Sequence, residues 1–164
     1  MNVAGIKYND IADGLGVRTT VFVSGCSRHC KGCHNPEAWD SHFGKPFTEG
    51  MQHEVIESIK PYWIQGLTIC GGEPFENEEG LIPFLKRVRA ECPDKDIWIY
   101  TGFTLEELEG REMLKCADVL VDGPFILGQK DAGLAFRGSR NQRIIRLVNG
   151  APAGQEESSE TDYR

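Results

Sequence analysis

The sequence predicts an α/β fold, a partial (β/α) barrel with a mostly parallel sheet and outer helices. Short β-branched or aromatic runs alternate with segments of helical periodicity, which is typical of parallel βαβ units. The 164 residues are enough for one domain, whereas a complete (β/α)8 barrel usually takes about 250. We therefore expect residues 1–150 to form a single domain. Residues 151–164 are acidic and lack core-forming side chains, and we expect a disordered tail there.

Four strands are expected from short β-branched or aromatic runs that end in glycine or polar residues. They lie near residues 18–24, 66–70, 97–100 and 118–122. The pattern then weakens, and residues 124–143 are expected to form loops. Residues 143–148 are a candidate for a final strand.

Helical patterns lie between these strands. Thr48 is suited to cap a first helix, because apolar residues recur after it at three- and four-residue spacing. They are Met51, Val55, Ile59 and Tyr62. A second helix is expected over residues 79–90, where Pro83 is acceptable only in the first turn. Thr104 is suited to cap a third, shorter helix.

Polar and glycine-rich segments follow each of the four strands. The first strand leads into a cysteine run, the second into Gly71, Gly72 and Glu73, the third into Thr101 and the fourth into Asp122. Ligand sites of parallel βαβ folds form beyond the carboxyl ends of the strands. We therefore expect these four strand ends to converge on one site.

The cysteine run contains Cys26, Cys30 and Cys33 at the spacing Cys-x-x-x-Cys-x-x-Cys. A loop this short can wrap three thiolates around one 4Fe-4S cluster. Clusters that only carry electrons normally take four cysteine ligands, so three ligands leave one iron free to bind a reactant. The run predicts an enzyme in which these cysteines are both metal ligands and catalytic residues.

Two other interpretations of the run stay open. One is a zinc site with His34 as the fourth ligand, although such a site leaves the later Gly-Gly-Glu-Pro segment unexplained. The other is a ferredoxin-like electron carrier closed by a distant cysteine. Cys92 is the candidate because Pro93 follows it, while Cys70 and Cys116 are interpreted as buried thiols.

Composition narrows the functional classes. The formal net charge of −7, from 18 basic and 25 acidic residues, argues against general nucleic-acid binding. No apolar run approaches the roughly 20 residues that span a bilayer, and the start of the chain lacks the regions of a signal peptide. Six cysteines without export signals fit a reducing compartment. We therefore expect a cytoplasmic protein that does not bind membranes.

The cysteine run and the segment Leu-Thr-Ile-Cys-Gly-Gly-Glu-Pro at residues 67–74 together resemble the radical S-adenosylmethionine superfamily. The resemblance implies a barrel of that type and one 4Fe-4S cluster, whose fourth iron is chelated by S-adenosylmethionine. Cleavage of that cofactor then releases a 5′-deoxyadenosyl radical. Glu73 would accept the cofactor's ammonium group, with room left by Gly71 and Gly72. Thr101 and Asp122 would bind its ribose or carboxylate end, or else only cap turns.

The sequence departs from that superfamily at one position. Many members carry an aromatic residue just before the third cysteine, where it packs on the adenine, but Gly32 stands there in this chain. Phe22, Phe103 and Phe125 are possible replacements.

Four further segments are similar to the activating proteins of anaerobic ribonucleoside-triphosphate reductase: residues 10–20, 33–36, 118–125 and 137–143. The resemblance implies hydrogen abstraction from a glycine of the reductase catalytic subunit, with an electron donor such as flavodoxin. The glycine-rich segment 128–143 is the candidate for contacting this partner. Alternatives are an activase of another glycyl-radical enzyme and a small-molecule radical synthase of the deazapurine-forming type.

Overall fold

The computed structural model describes residues 1–153; residues 154–164, most of the predicted tail, lie outside the described residues. The described chain is α/β. Its strands are β1 (Asn2–Asp10), β2 (Val17–Val23), β3 (Lys45–Pro46), β4 (Ile64–Gly71), β5 (Asp96–Tyr100), β6 (Val119–Asp122), β7 (Arg143–Val148) and β8 (Ala151–Pro152). Its α-helices are α1 (Glu49–Ile59) and α2 (Glu78–Glu91), and short 3-10 helices occupy several connections.

Within residues 1–153 the strands form one sheet in the order β3-β1-β2-β4-β5-β6-β7-β8. The central strands β2, β4, β5 and β6 are parallel to one another. At both edges of the sheet the strands pair in the antiparallel direction. The α/β prediction is therefore confirmed with a mixed sheet, and closure into a partial barrel stays a prediction.

All four predicted strands and the candidate final strand are present. The sequence reasoning missed β1, although it is the longest strand at 9 residues. Its pairing with β2 shifts register between Val3 and Gly5 and again between Lys7 and Asp10. Such irregularities interrupt the two-residue alternation from which strands are recognised. At the other end, Ala151 and Pro152 pair with β7, so the predicted tail begins with two residues of the sheet.

The first helix begins where it was predicted and ends sooner. The Thr48 hydroxyl accepts a hydrogen bond from the Met51 amide at 3.3 Å, as expected of an N-cap. The helix ends at Ile59, and Pro61 follows. Tyr62 is therefore outside the helix and 91% exposed, so its predicted place on the apolar face is wrong.

The second helix begins one residue earlier than predicted, which puts Pro83 in its second turn. The helix accepts this proline at the expense of one backbone hydrogen bond. The third predicted helix is a 3-10 helix at Leu105–Leu108, closed by reciprocal bonds between Thr104 and Glu107. No helix within residues 1–153 combines the length and apolar character needed to cross a bilayer.

The two faces of the sheet differ in character. Residues Val21, Ile69, Ile99 and Leu120, which are register neighbours on β2, β4, β5 and β6, pack in the main core with α1 and α2. The alternate residues on the same strands point the other way, where Trp98, Val119 and Val121 form a smaller cluster beneath the segment 135–144. This second face leads up to the carboxyl ends of the parallel strands.

Candidate active site

A cavity of about 430 Å³ opens at the carboxyl ends of the parallel strands. It is lined by most of the residues that the sequence singled out: Cys26, Cys30, Cys33, Gly71, Gly72, Glu73 and Thr101. Parallel pairing of β2, β4 and β5 puts the three loops that carry them at one edge of the sheet. The predicted convergence of these three strand ends is therefore present.

The cysteine run follows β2 as an irregular loop that is fastened at its start. The Gly25 and Cys26 amides donate to the carbonyls of Ala38 and Trp39 at 2.8 and 3.1 Å. Ser27 donates from its amide and hydroxyl to the Glu76 carboxylate. These bonds hold the loop over the end of β4 and leave its thiols on the cavity wall.

The three cysteines of the run are free and partly buried. His34, the fourth ligand of the alternative zinc site, lies on the same wall. No three His, Cys, Asp or Glu side chains in residues 1–153 stand close enough together to hold a metal ion. The thiols therefore share one cavity without surrounding a common point. Three free thiols in an irregular loop can supply three of the four ligands of an iron–sulfur cluster, and this donor chemistry fits the group.

Gly71 and Gly72 are glycines because the end of β2 and the start of the cysteine loop come very close to them. Gly71 has φ +102°, and a Cβ there would lie 2.6 Å from the Val23 amide nitrogen. A Cβ on Gly72 would lie 2.4 Å from the Gly25 carbonyl oxygen. The Gly72 amide donates to Val23 and the Glu73 amide to Gly25, both at 2.7 Å. This glycine pair therefore locks the end of β4 to the beginning of the cysteine loop.

Glu73 is 1% exposed and its carboxylate is held by three donors. The Phe75 amide and the Thr101 hydroxyl donate to Oε1 at 3.1 and 2.7 Å. The Gly102 amide donates to Oε2 at 2.8 Å. Burial raises the pKa of Glu73 above its ordinary value, against the effect of these hydrogen bonds. Thr101 thus helps to hold the Glu73 carboxylate in place, and the two predicted residues are joined by a hydrogen bond.

Arg28 brings a positive charge to the same place. Its guanidinium lies over the Phe103 ring, 4.5 Å from the ring centroid. A Cβ on Gly102 would come within 2.5 Å of the Arg28 side chain and 3.4 Å of Glu73 Oε2, so these two side chains meet at Gly102. The Arg28 backbone is hydrogen-bonded to Cys26, whereas within residues 1–153 the guanidinium makes no hydrogen bond or ion pair. Its charge is therefore available to the cavity.

Asp122 does not line the cavity, unlike the other predicted site residues. Its buried carboxylate accepts from the Leu105 amide at 2.8 Å and from the Arg143 guanidinium. Arg143 also pairs with Glu106. Every one of these contacts ties the end of β6 to neighbouring segments. These contacts favour the turn-capping alternative for Asp122, and its role beside the cofactor stays a prediction.

The structure explains why a glycine stands at position 32 of this chain. It has φ +77°, and a Cβ there would lie 2.9 Å from a Leu127 methyl group. Leu127 belongs to a short 3-10 helix nearly a hundred residues further along the chain. Of the three candidate aromatic replacements, Phe22 and Phe125 line the cavity, and Phe103 supports Arg28.

The remaining cysteines separate into two groups. Cys92 and Cys116 are buried in the main core, on the helix side of the sheet. Cys70 lines the cavity, and burial raises the pKa of its thiol well above the ordinary value. A thiol that stays protonated is a poor metal ligand. This arrangement agrees with the interpretation of Cys70 and Cys116 as buried thiols, and it places Cys92, the candidate ligand of the electron-carrier alternative, away from the cavity.

The sequence reasoning missed several residues of the cavity wall. Asp13 and Tyr100 are on it, on the face of the sheet opposite the helices, and so is Trp39 from the loop after the cysteine run. The position of Tyr100 directly before Thr101 was the available signal. From the glycine-rich segment, Arg137 lines the cavity and Arg140 pairs with Asp131.

Comparison with known proteins extends these observations to the whole chain. Residues 12–145 match the family described as 4Fe-4S single cluster domain. Three similar proteins are each named anaerobic ribonucleoside-triphosphate reductase-activating protein. The Haemophilus influenzae protein is 47% identical, covering 90% of this chain and 99% of its own length. The Escherichia coli K12 protein is 42% identical, with coverages of 84% and 94%. The protein of phage T4 is 38% identical, with coverages of 92% and 97%.

The match to the cluster domain includes the cysteine loop, the Gly-Gly-Glu-Pro segment and the ends of all four parallel strands. The relatives in turn align with nearly the whole of both chains, so the similarity is not confined to one motif. The chain therefore belongs to the family of anaerobic ribonucleoside-triphosphate reductase-activating proteins and carries a 4Fe-4S single cluster domain.

Proposed function

We propose that this protein is a radical S-adenosylmethionine oxidoreductase that activates a glycyl-radical enzyme. One electron and one S-adenosylmethionine give methionine and a 5′-deoxyadenosyl radical. The radical removes a hydrogen atom from a glycine of anaerobic ribonucleoside-triphosphate reductase and leaves as 5′-deoxyadenosine. The reductase then keeps the unpaired electron as a glycyl radical.

The observation that carries the proposal is the single cavity that holds both motifs. Cys26, Cys30 and Cys33 would bind the cluster, which supplies the electron for cleavage of the sulfonium bond when it is bound. The Gly-Gly-Glu segment is fastened to the cysteine loop by backbone hydrogen bonds. A cofactor held by Glu73 would therefore be close to a cluster held by the cysteines. A carrier of electrons alone has no use for this juxtaposition.

Glu73 and Arg28 suit the two charged ends of an amino acid. The carboxylate of Glu73 is fixed by three hydrogen bonds and ready to accept from the ammonium group of methionine. An ammonium group would also stabilise the ionised carboxylate in this buried place. Arg28, held over Phe103 on the other side of Gly102, offers its charge to the methionine carboxylate. Together they would orient the cofactor by its zwitterion.

The small size of the protein suits a macromolecular substrate. A reductase brings its own folded structure, so an activase needs no large substrate domain. The segment 128–143 contributes Lys130 and Arg137 to the cavity wall and is where we place contact with the reductase. We further propose a flavodoxin-type electron donor. We also propose a cytoplasmic location, because six free cysteines suit a reducing compartment.

The test uses anaerobically reconstituted, reduced protein. S-adenosylmethionine is added, the electron paramagnetic resonance signal of the cluster and the release of 5′-deoxyadenosine are followed, and the anaerobic reductase is then included. The proposal expects a perturbed signal, cleavage, and a glycyl radical on the reductase. Cys30→Ala serves as the negative control, and Cys92→Ser as a matched cysteine substitution outside the cavity.

Other outcomes would support the alternatives. Cleavage without a radical on the reductase would favour an activase of another glycyl-radical enzyme or a small-molecule synthase. A cluster signal that does not respond to S-adenosylmethionine would favour the electron carrier.

A further inference from the structure

The indole of Trp39 has a buried N–H group with no acceptor. Its Nε1 atom is shut off from water and makes no hydrogen bond within residues 1–153. An indole nitrogen can only donate, and an unpaired buried donor is destabilising. Most buried polar groups in native proteins have a partner. The unmet donor therefore calls for an acceptor that the polypeptide described here does not supply.

The cysteine loop contacts Trp39 at two points, the backbone carbonyl and the indole ring. The Trp39 carbonyl accepts from the Cys26 amide at 3.1 Å. The Trp39 ring stacks on His29, between the first and second cysteines, with ring centroids 4.6 Å apart. His29 has φ +45°, an uncommon conformation for a residue with a side chain. Trp39 also lines the cavity with the three thiols. One backbone bond and one ring contact thus fix the indole against the loop.

We propose that the Trp39 N–H donates to sulfur in the cluster-loaded protein, either to a cysteine thiolate of the loop or to a sulfide of the cluster. Sulfur is the acceptor that cluster binding brings to this position. Hydrogen bonds to the sulfurs stabilise the reduced, more negative cluster and so raise its reduction potential. Trp39 is a positioning residue that sets how readily the cluster accepts its electron. The inference rests on the cluster ligands of the proposed function and needs neither S-adenosylmethionine nor the reductase.

The test compares Trp39→Phe with Trp63→Phe after anaerobic reconstitution. Phenylalanine keeps an aromatic ring beside His29 and removes only the N–H donor. Trp63 is 59% exposed and remote from the cavity wall, which makes it a matched control. Iron and sulfide content are measured first, because a wild-type protein without a cluster would contradict the proposed function rather than this inference. The reduction potential is then measured without S-adenosylmethionine.

Trp39→Phe should load the cluster and shift its reduction equilibrium severalfold to about tenfold toward the oxidised form, tenfold being 59 mV for one electron. Trp63→Phe should leave the potential at the wild-type value. Equal potentials in the two variants would overturn the proposal. An unchanged potential combined with weaker S-adenosylmethionine binding would also overturn it, since the N–H would then serve the cofactor.

A second measurement keeps the proposal testable if Trp39→Phe does not load a cluster. Unsubstituted protein is prepared with ¹⁵N-labelled tryptophan, and pulsed electron paramagnetic resonance of the reduced cluster is recorded. A direct hydrogen bond should appear as an indole ¹⁵N coupling together with a coupled exchangeable proton. Their absence would contradict an N–H···S bond.

Discussion

The two faces of the central sheet are built from different chemistry. On the helix face, Val21, Ile69, Ile99 and Leu120 are all completely buried among apolar neighbours. On the opposite face, the register neighbours Thr20, Thr68 and Trp98 lie beside a fully buried arginine, Arg18. The first face is an ordinary hydrophobic core. The second combines the smaller apolar cluster with buried polar groups, which continue into the candidate active site.

Arg18 shows how a charge is kept inside this second face. Its guanidinium donates to the Thr68 hydroxyl and the Leu67 carbonyl, both at 2.8 Å, and to the Leu15 carbonyl at 3.0 Å. It also pairs with Asp96 at 2.6 Å and lies over the Trp98 ring. A buried charge is tolerated only when it is paired and hydrogen-bonded in this way. Nearer the cavity that compensation is incomplete, because the buried Tyr100 hydroxyl has no hydrogen-bond partner within residues 1–153.

The difference teaches that stability and chemistry are separated across the sheet. The helix face stabilises the fold by apolar burial and contributes nothing to the cavity wall except at the strand ends. The opposite face holds polar groups. Those around Arg18 are paired, whereas nearer the cavity, where ligands would enter, the pairing within residues 1–153 is incomplete. Substitutions on the two faces should therefore differ in how they change stability and ligand binding.

The largest effect is expected from Cys30→Ala. Loss of one of three thiolates should abolish cluster assembly and reduce S-adenosylmethionine cleavage to background, and Cys26→Ala and Cys33→Ala should behave alike. The free energy of unfolding of the cluster-free protein should change little, because these side chains are only partly buried. Iron analysis and denaturant unfolding measure the two quantities. An intact cluster in any of the three variants would refute the ligand assignment.

Arg18→Met tests the polar face directly. It removes the buried guanidinium and leaves the Leu67 carbonyl, Thr68 and Asp96 without their partner. We expect a loss of about 3–5 kcal/mol in the free energy of unfolding. Ile69→Val, on the helix face of the neighbouring strand, should cost only about 0.5–1.5 kcal/mol. Equal losses in urea denaturation would show that the faces do not differ as described.

Glu73→Gln should keep the cluster and weaken S-adenosylmethionine binding. A neutral amide loses a charge-assisted hydrogen bond of about 1.5–3 kcal/mol, equivalent to a roughly 10- to 150-fold increase in Kd. Calorimetric titration of the cluster-loaded protein measures the affinity. Glu76→Gln, a neighbouring carboxylate that holds Ser27, is the matched control. Unchanged affinity in Glu73→Gln would remove Glu73 from the cofactor site.

Asp13 should make stability depend on pH. Burial, together with the adjacent Asp10, raises the pKa of Asp13 to about 7, against the effect of Lys7. The unfolded chain releases this proton near the ordinary value of 3.8, so from about pH 4 to 7 the folded state holds more protons. This contribution to stability therefore falls as the pH rises through that range. Asp13→Asn should flatten the decline, measured as Tm against pH, and an unaltered profile would contradict the assignment.

Cys92→Ser is expected to have the smallest effect on the cluster. Cys92 is 2% exposed and packs in the core at the end of α2. Burying a hydroxyl in place of a thiol should cost about 1–2 kcal/mol of unfolding free energy. The iron content should match that of the unsubstituted protein. Loss of iron would make Cys92 a cluster ligand and revive the electron-carrier interpretation.

The sequence by itself determined the α/β class, the central strands and the chemistry of the cavity. These features are local: β-branched runs specify strands, and the spacing of Cys26, Cys30 and Cys33 predicts a ligand loop. Gly71 and Gly72 were expected to leave room for the cofactor, and the structure shows that they also make room for the backbone of Val23 and Gly25. Thr48 and Thr104 were recognisable as caps because capping involves residues only three positions apart.

Only the tertiary structure decided what lies opposite each residue. Asp122 is bound by Arg143 and the Leu105 amide, Gly32 makes room for Leu127, and these partners are 17 to 21 residues or more away. The edge strand β1 was hidden because its register shifts remove the alternation. Arg18 stands at the start of a predicted strand, and only the fold shows that its guanidinium is buried. Contacts between distant segments depend on how the strands are ordered in the sheet, and local sequence patterns do not encode that order.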